Sequence, residues 1–125
     1  MRPLLIFLIL FSFISCDKTN PNNKIDFAEN PVVAHRGAWK AKNLPQNSIA
    51  SLKEAINLKC TGSEFDVRIT KDNILIVTHD KEYNDLIIEE TNYEVLAKTT
   101  LFNGEKLPTL KEYLLAGMQN NVATG

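Results

Sequence analysis

The sequence is poor in the residues that mark specialised scaffolds. Two cysteines among 125 residues exclude a disulfide framework, and five glycines exclude a collagen-like fibre. Charge of either sign is scarce in net terms: 14 Lys+Arg stand against 15 Asp+Glu, leaving −1. That balance lacks the basic footprint of a nucleic-acid-binding domain, so no nucleic-acid partner is expected. No internal repeat is present, and no apolar run approaches the roughly 20 residues that span a bilayer. A hydrophobic fraction of 44% is too high for a long disordered tail. One modest globular domain fits this composition and length.

The longest apolar run lies at the start. Arg2 supplies positive charge, and Leu4 to Ile14 is then apolar apart from Ser12. Such a run suits the apolar region of a signal peptide and is too short to cross a membrane stably. It ends in Phe13-Ile14-Ser15-Cys16, which resembles a bacterial lipoprotein lipobox with Phe13 in place of the usual leucine. The resemblance implies cleavage before Cys16 and lipid attachment to its thiol. Residues 1–15 would then be a lipoprotein signal peptide. The protein would sit in the cell envelope, lipid-anchored to a bacterial membrane and facing the periplasm or the cell surface. An ordinary secretory signal with an incidental cysteine is the plainer alternative. Residues 16–30 are polar, show no apolar period and read as a tether. Cys60, between Leu58 and Gly62, reads as a small buried hydrophobe rather than a nucleophile.

From residue 31 the texture changes. Val32-Val33-Ala34 is a short β-type run ending at His35-Arg36-Gly37. Asn47 or Ser48 can cap a helix whose apolar positions are Ile49, Leu52, Ala55, Ile56 and Leu58. A strand is expected over 63–69, with Glu64, Asp66 and Arg68 on one face and Phe65, Val67 and Ile69 on the other. Thr70 to Asn73 reads as a tight turn, and Ile74 to Val77 as a buried strand ending at Thr78-His79-Asp80. Two capping boxes follow, Thr91-x-x-Glu94 and Thr109-x-x-Glu112, the second preceded by Pro108. Strand, helix, strand, strand, helix, helix is the opening of an α/β fold with parallel strands.

Glu64 and Asp66, two apart on a strand, project from one face. Two close carboxylates repel unless a cation or a proton lies between them. A solvated face with Arg68 as partner is one reading; a hard divalent cation with oxygen ligands is the other. His35 and His79 are the only histidines, and each follows a short apolar strand. A lone histidine is more often structural than catalytic. If the Thr70–Asn73 turn closes a hairpin, however, residue 79 falls opposite residue 65 or 66. Two imidazoles beside a divalent metal suit phosphoryl chemistry: one takes a proton from the nucleophile, the other gives one to the leaving oxygen. Arg36 can hold a phosphate.

The motifs His35-Arg36-Gly37, Pro45-Gln46-Asn47-Ser48, Glu64-Phe65-Asp66, Thr70-Lys71-Asp72 and His79-Asp80, followed by Leu107-Pro108-Thr109-Leu110-Lys111-Glu112-Tyr113-Leu114, come in an order and spacing that resemble the glycerophosphodiester phosphodiesterase family. The resemblance covers residues 31 to 115. It implies a (β/α)8 TIM-type barrel with its site at the C-terminal ends of the strands. It implies hydrolysis of a glycerophosphodiester substrate to glycerol 3-phosphate and an alcohol, through a cyclic phosphate formed by the neighbouring glycerol hydroxyl. By the same analogy His35 and His79 would be the acid/base pair, Arg36 would contact phosphate, and Glu64 and Asp66 would bind Ca²⁺ or Mg²⁺. Gln46 stands where the family usually has glutamate, and Lys81 to Asp85 replaces a usual Arg-Thr-Thr stretch. Such barrels need roughly 250 residues, so residues 31–125 are expected to be the N-terminal portion of one, truncated before a third acidic ligand. A truncated inactive lipoprotein and a phosphate-ester binding module are the alternatives to an enzyme.

Overall fold

The computed structural model describes residues 30–122. The proposed signal peptide, Cys16 and nearly all of the tether lie outside the described residues. Strand β1 (Asn30–His35) begins one residue before the expected boundary. It pairs in parallel with β2 (Cys60–Glu64), setting His35 directly beside Glu64. The intervening crossover is helix α1 (Ile49–Asn57). Ser48 caps it: its hydroxyl accepts from the Ser51 N–H, and the Ser51 hydroxyl accepts from the Ser48 N–H. This reciprocal cap satisfies two donors that a bare helix start would leave unpaired.

The strand expected over 63–69 is two strands. Strand β2 stops at Glu64, and β3 (Val67–Ile69) starts a separate antiparallel pair with β4 (Leu75–Val77). Phe65 and Asp66 form the break. The alternation in the sequence continues through them, because one out-of-ladder dipeptide leaves a period of two undisturbed. The Thr70–Asn73 turn does close a hairpin. The Thr70 hydroxyl accepts from Ile74 N–H, and Asn73 takes a left-handed φ of 61°. Arg68 is not the partner of the acidic pair: its guanidinium donates twice to the His79 carbonyl, at 2.9 and 2.7 Å.

Strand β4 is the pivot of the core. Its neighbours Ile76 and Val77 are both fully buried but face opposite ways. Ile76 packs with Ile88, Leu96 and Leu107; Val77 packs with Leu52 of α1 and Tyr113. The Val77 N–H also donates to the Pro108 carbonyl, tying β4 to the start of α3 (Leu110–Val122). There the Thr109–Glu112 capping box forms as expected. The Thr91–Glu94 box does not. Thr91 Oγ1 donates instead to the Ile87 carbonyl, and α2 (Tyr93–Leu96) starts after Asn92 with no side-chain cap. A short hairpin of β5 (Glu82–Tyr83) and β6 (Leu86–Ile87) fills the segment between β4 and α2. Beyond Ile76 and Val77 the hairpin is less buried than its apolar run suggests: Leu75, Val67 and Ile69 are all more than two-fifths exposed.

Candidate active site

The parallel register delivers His35 and Glu64 to the same end of β1 and β2. His35 Nε2 lies 3.8 Å from Glu64 Oε2. The chain then turns sharply, with Arg36 at φ 58° and Gly37 at φ 79°. Glycine is required at 37: a Cβ there would sit 2.4 Å from Ser51 Oγ and 2.7 Å from the Ser51 carbonyl carbon. The turn makes Arg36 the hub of the site. Its N–H donates to Glu64 Oε2 at 3.1 Å, and its carbonyl accepts from the Asn47 N–H and the Ser51 hydroxyl. Its guanidinium donates to Gln46 Oε1 at 2.8 Å, while Nε lies 3.5 Å from Asp66 Oδ2.

Asp66 sits in the break between β2 and β3. Its carbonyl accepts from the Thr78 N–H, which brings the His79 segment alongside it. The register that pairs Val67 with Val77 thus carries residue 79 toward the 65–66 break. His79 Nδ1 lies 2.9 Å from Asp80 Oδ1. A carboxylate oxygen facing Nδ1 favours the tautomer in which Nδ1 donates, and in a neutral ring that leaves Nε2 as the acceptor. Arg36, Gln46, Asn47, His79 and Asp80 line one cavity of about 390 Å³ together with Glu82, Tyr83 and Phe102. Burial pushes the Tyr83 phenol up, and its hydroxyl donates to the Thr99 carbonyl.

Arg36 thus touches both Glu64 and Asp66 and shares a cavity with His79. Arg36 and His79 line the cavity, while His35, beside Glu64, lines a separate hollow with Gly37 and Trp39. Two partners were not given a role from sequence. Asn47 was legible only as a possible helix cap; it lies instead at φ 57°, 2% exposed, bonded to Asp66 through both amide atoms. Gln46 was legible only as a missing charge, and it proves to be the acceptor for Arg36. Glu64 and Asp66 are hard oxygen donors of the kind Ca²⁺ and Mg²⁺ prefer. Among the described residues no group of three or more His, Cys, Asp or Glu is gathered tightly enough to hold a metal. Two carboxylates alone fall short of a ligand set, and Glu64 and Asp66 could serve only as part of one.

Residues 35–122 match the model of the glycerophosphoryl diester phosphodiesterase family. A glycerophosphodiester phosphodiesterase of Caldanaerobacter subterraneus is 37% identical over 93 residues, covering 65% of this chain and 37% of the relative. A crystal structure of a glycerophosphodiester phosphodiesterase from Parabacteroides distasonis aligns with a TM-score of 0.69 at 43% identity, over 76% of this chain and 40% of that one. An Oleispira antarctica phosphodiesterase, solved with its product sn-glycerol-3-phosphate, aligns with a TM-score of 0.63 at 28% identity, over 72% and 40%. The fold is accordingly the N-terminal portion of a (β/α)8 barrel. The chain spans about two fifths of the length of these relatives.

Proposed function

Because the chain belongs to the glycerophosphoryl diester phosphodiesterase family, we propose that it carries the phosphate-handling half of an enzyme that hydrolyses glycerophosphodiesters to glycerol 3-phosphate and an alcohol. One observation supports this reading: Arg36 contacts both Glu64 and Asp66 and shares a cavity with His79, while His35 stands beside Glu64. The Arg36 guanidinium, at the cavity wall, would bind a phosphate oxygen by charge-assisted hydrogen bonds. With Nδ1 turned to Asp80, a neutral His79 would offer Nε2 as the general base that takes the proton from the glycerol hydroxyl next to the phosphoester oxygen. His35 would donate a proton to the departing alkoxide oxygen. In the second step the roles exchange as water opens the cyclic phosphate. Glu64 and Asp66 would hold Ca²⁺ or Mg²⁺, which supplies polarisation of the phosphoryl oxygens.

The experiment is incubation of the full-length protein with deacylated phosphatidylcholine, phosphatidylethanolamine and phosphatidylglycerol. Release of glycerol 3-phosphate and the free alcohol is expected. No release, or release of free glycerol with phosphocholine or phosphoethanolamine from the first two substrates, would overturn the reading. The attachment through Cys16 to an envelope membrane is part of the same proposal and rests on the lipobox-like sequence alone. A Cys16→Ala variant should leave the membrane fraction; one that stays would contradict it.

A further inference from the structure

Asn47 carries no charge and titrates nowhere near neutrality, yet it is the most deeply buried polar side chain touching the acidic pair. Its backbone is left-handed, a conformation that asparagine tolerates better than most residues. From that position Nδ2 donates to Asp66 Oδ2 at 3.0 Å, and Oδ1 accepts from the Asp66 N–H at 3.2 Å. Only one orientation of the amide satisfies both bonds, since a flipped amide would set donor against donor. Asp66 lies outside both strands, so no ladder fixes its side chain. The amide does, gripping backbone and carboxylate together.

Resting on the reading of Glu64 and Asp66 as cation ligands, we propose that Asn47 is a positioning residue that sets the affinity of the site for a divalent cation. Asp66 Oδ2 takes both the Asn47 amide and the Arg36 contact, which turns the cation's share of this carboxylate onto Oδ1. Glu64 is held in the same fashion, with Oε2 engaged by the Arg36 N–H. Each carboxylate thus has one oxygen anchored to the 36–47 loop. The loop itself is pinned by the Asn47 N–H to the Arg36 carbonyl and by Ser51 to the same atom. Partners of this kind fix a ligand's direction before the cation arrives, and their loss lowers metal affinity about 10- to 100-fold.

The test is calorimetric titration of Ca²⁺ and Mg²⁺ into the full-length protein and its Asn47→Gly variant. Glycine keeps the left-handed backbone and removes only the amide. The dissociation constant should rise about 10- to 100-fold, and turnover should recover at saturating cation. Thr109→Ala removes the cap of α3 and touches neither this loop nor Asp66. It should lower the thermal midpoint and leave cation affinity unchanged, which separates positioning from general stability. An Asn47→Gly constant equal to wild type, or a turnover loss that excess cation does not repair, overturns the proposal while leaving the cation reading intact. A folded wild-type protein that binds neither cation overturns both. Should Asn47→Gly fail to fold, the wild-type Asn47 side-chain amide resonance carries the test. It should shift in step with cation saturation, and an unmoved resonance contradicts the proposal.

Discussion

The two halves of the site are built differently. The carboxylate half is braced: Asp66 is gripped by Asn47 and faces Arg36, Glu64 accepts the Arg36 N–H, and the loop behind them is locked by a buried Ser48–Ser51 cap. The histidine half is loose. The His35 side chain is 70% exposed and the His79 side chain 47%, and His79's ring contact is to Asp80, itself 80% exposed. This division suits the roles proposed above for each half. Groups that hold fixed charge gain from being oriented in advance, because no reorganisation is then needed as charge develops. Groups that carry protons must meet a substrate and alternate between acid and base.

The comparison is broken most severely from the loose side. His79→Ala or His35→Ala should lower turnover about 10²- to 10⁴-fold while leaving divalent-cation affinity as it was. Steady-state rates beside a binding isotherm check this, and a fall in both together would show that the halves are not separable. Next comes Gly37→Ala, which attacks the braced side. Its Cβ would collide with Ser51 in a backbone region hostile to side chains. The expected loss is at least about 2 kcal/mol by urea denaturation, with cation affinity falling as the loop moves. A neutral Gly37→Ala would mean that the turn is not what fixes the carboxylates.

The smallest effect lies outside both halves. Asp72 is held below its ordinary value of 3.8 by the Thr70 hydroxyl and then the Tyr93 N–H. Burial pushes Glu112 upward, but bonds from Lys106 and Thr109 outweigh it and leave that carboxyl lowered as well. A depressed carboxylate stabilises the fold fully above its unfolded value and loses that contribution as pH falls through the folded one. The thermal midpoint should therefore be unaffected by these groups near neutrality and should decline between about pH 5 and pH 2. A midpoint independent of pH across that window would remove them as anchors of the β3–β4 turn and of α3.

Much of this was legible in the sequence because short-range rules governed it. The Thr109–Glu112 box, the Thr70–Asn73 turn and the approach of residue 79 toward the 65–66 break follow from local spacing and a hairpin register. The break at Phe65–Asp66 was hidden, since a dipeptide leaving the ladder preserves the alternation of its neighbours. Arg36 as the hub was hidden for another reason. Its bonds to Gln46, Asn47, Glu64 and Asp66 depend on a left-handed turn, and arginine gives no sign of one. Thr91 misled because a Thr-x-x-Glu spacing permits a cap without compelling it, and the Ile87 carbonyl competed successfully for the hydroxyl.

The most direct measurement is glycerol 3-phosphate release by the full-length protein before and after an excess of chelator, followed by return of Ca²⁺ or Mg²⁺. Abolition by the chelator and recovery with the cation are expected if the braced carboxylates serve a metal that the histidines alone cannot replace. Undiminished release in excess chelator would contradict that account at its centre.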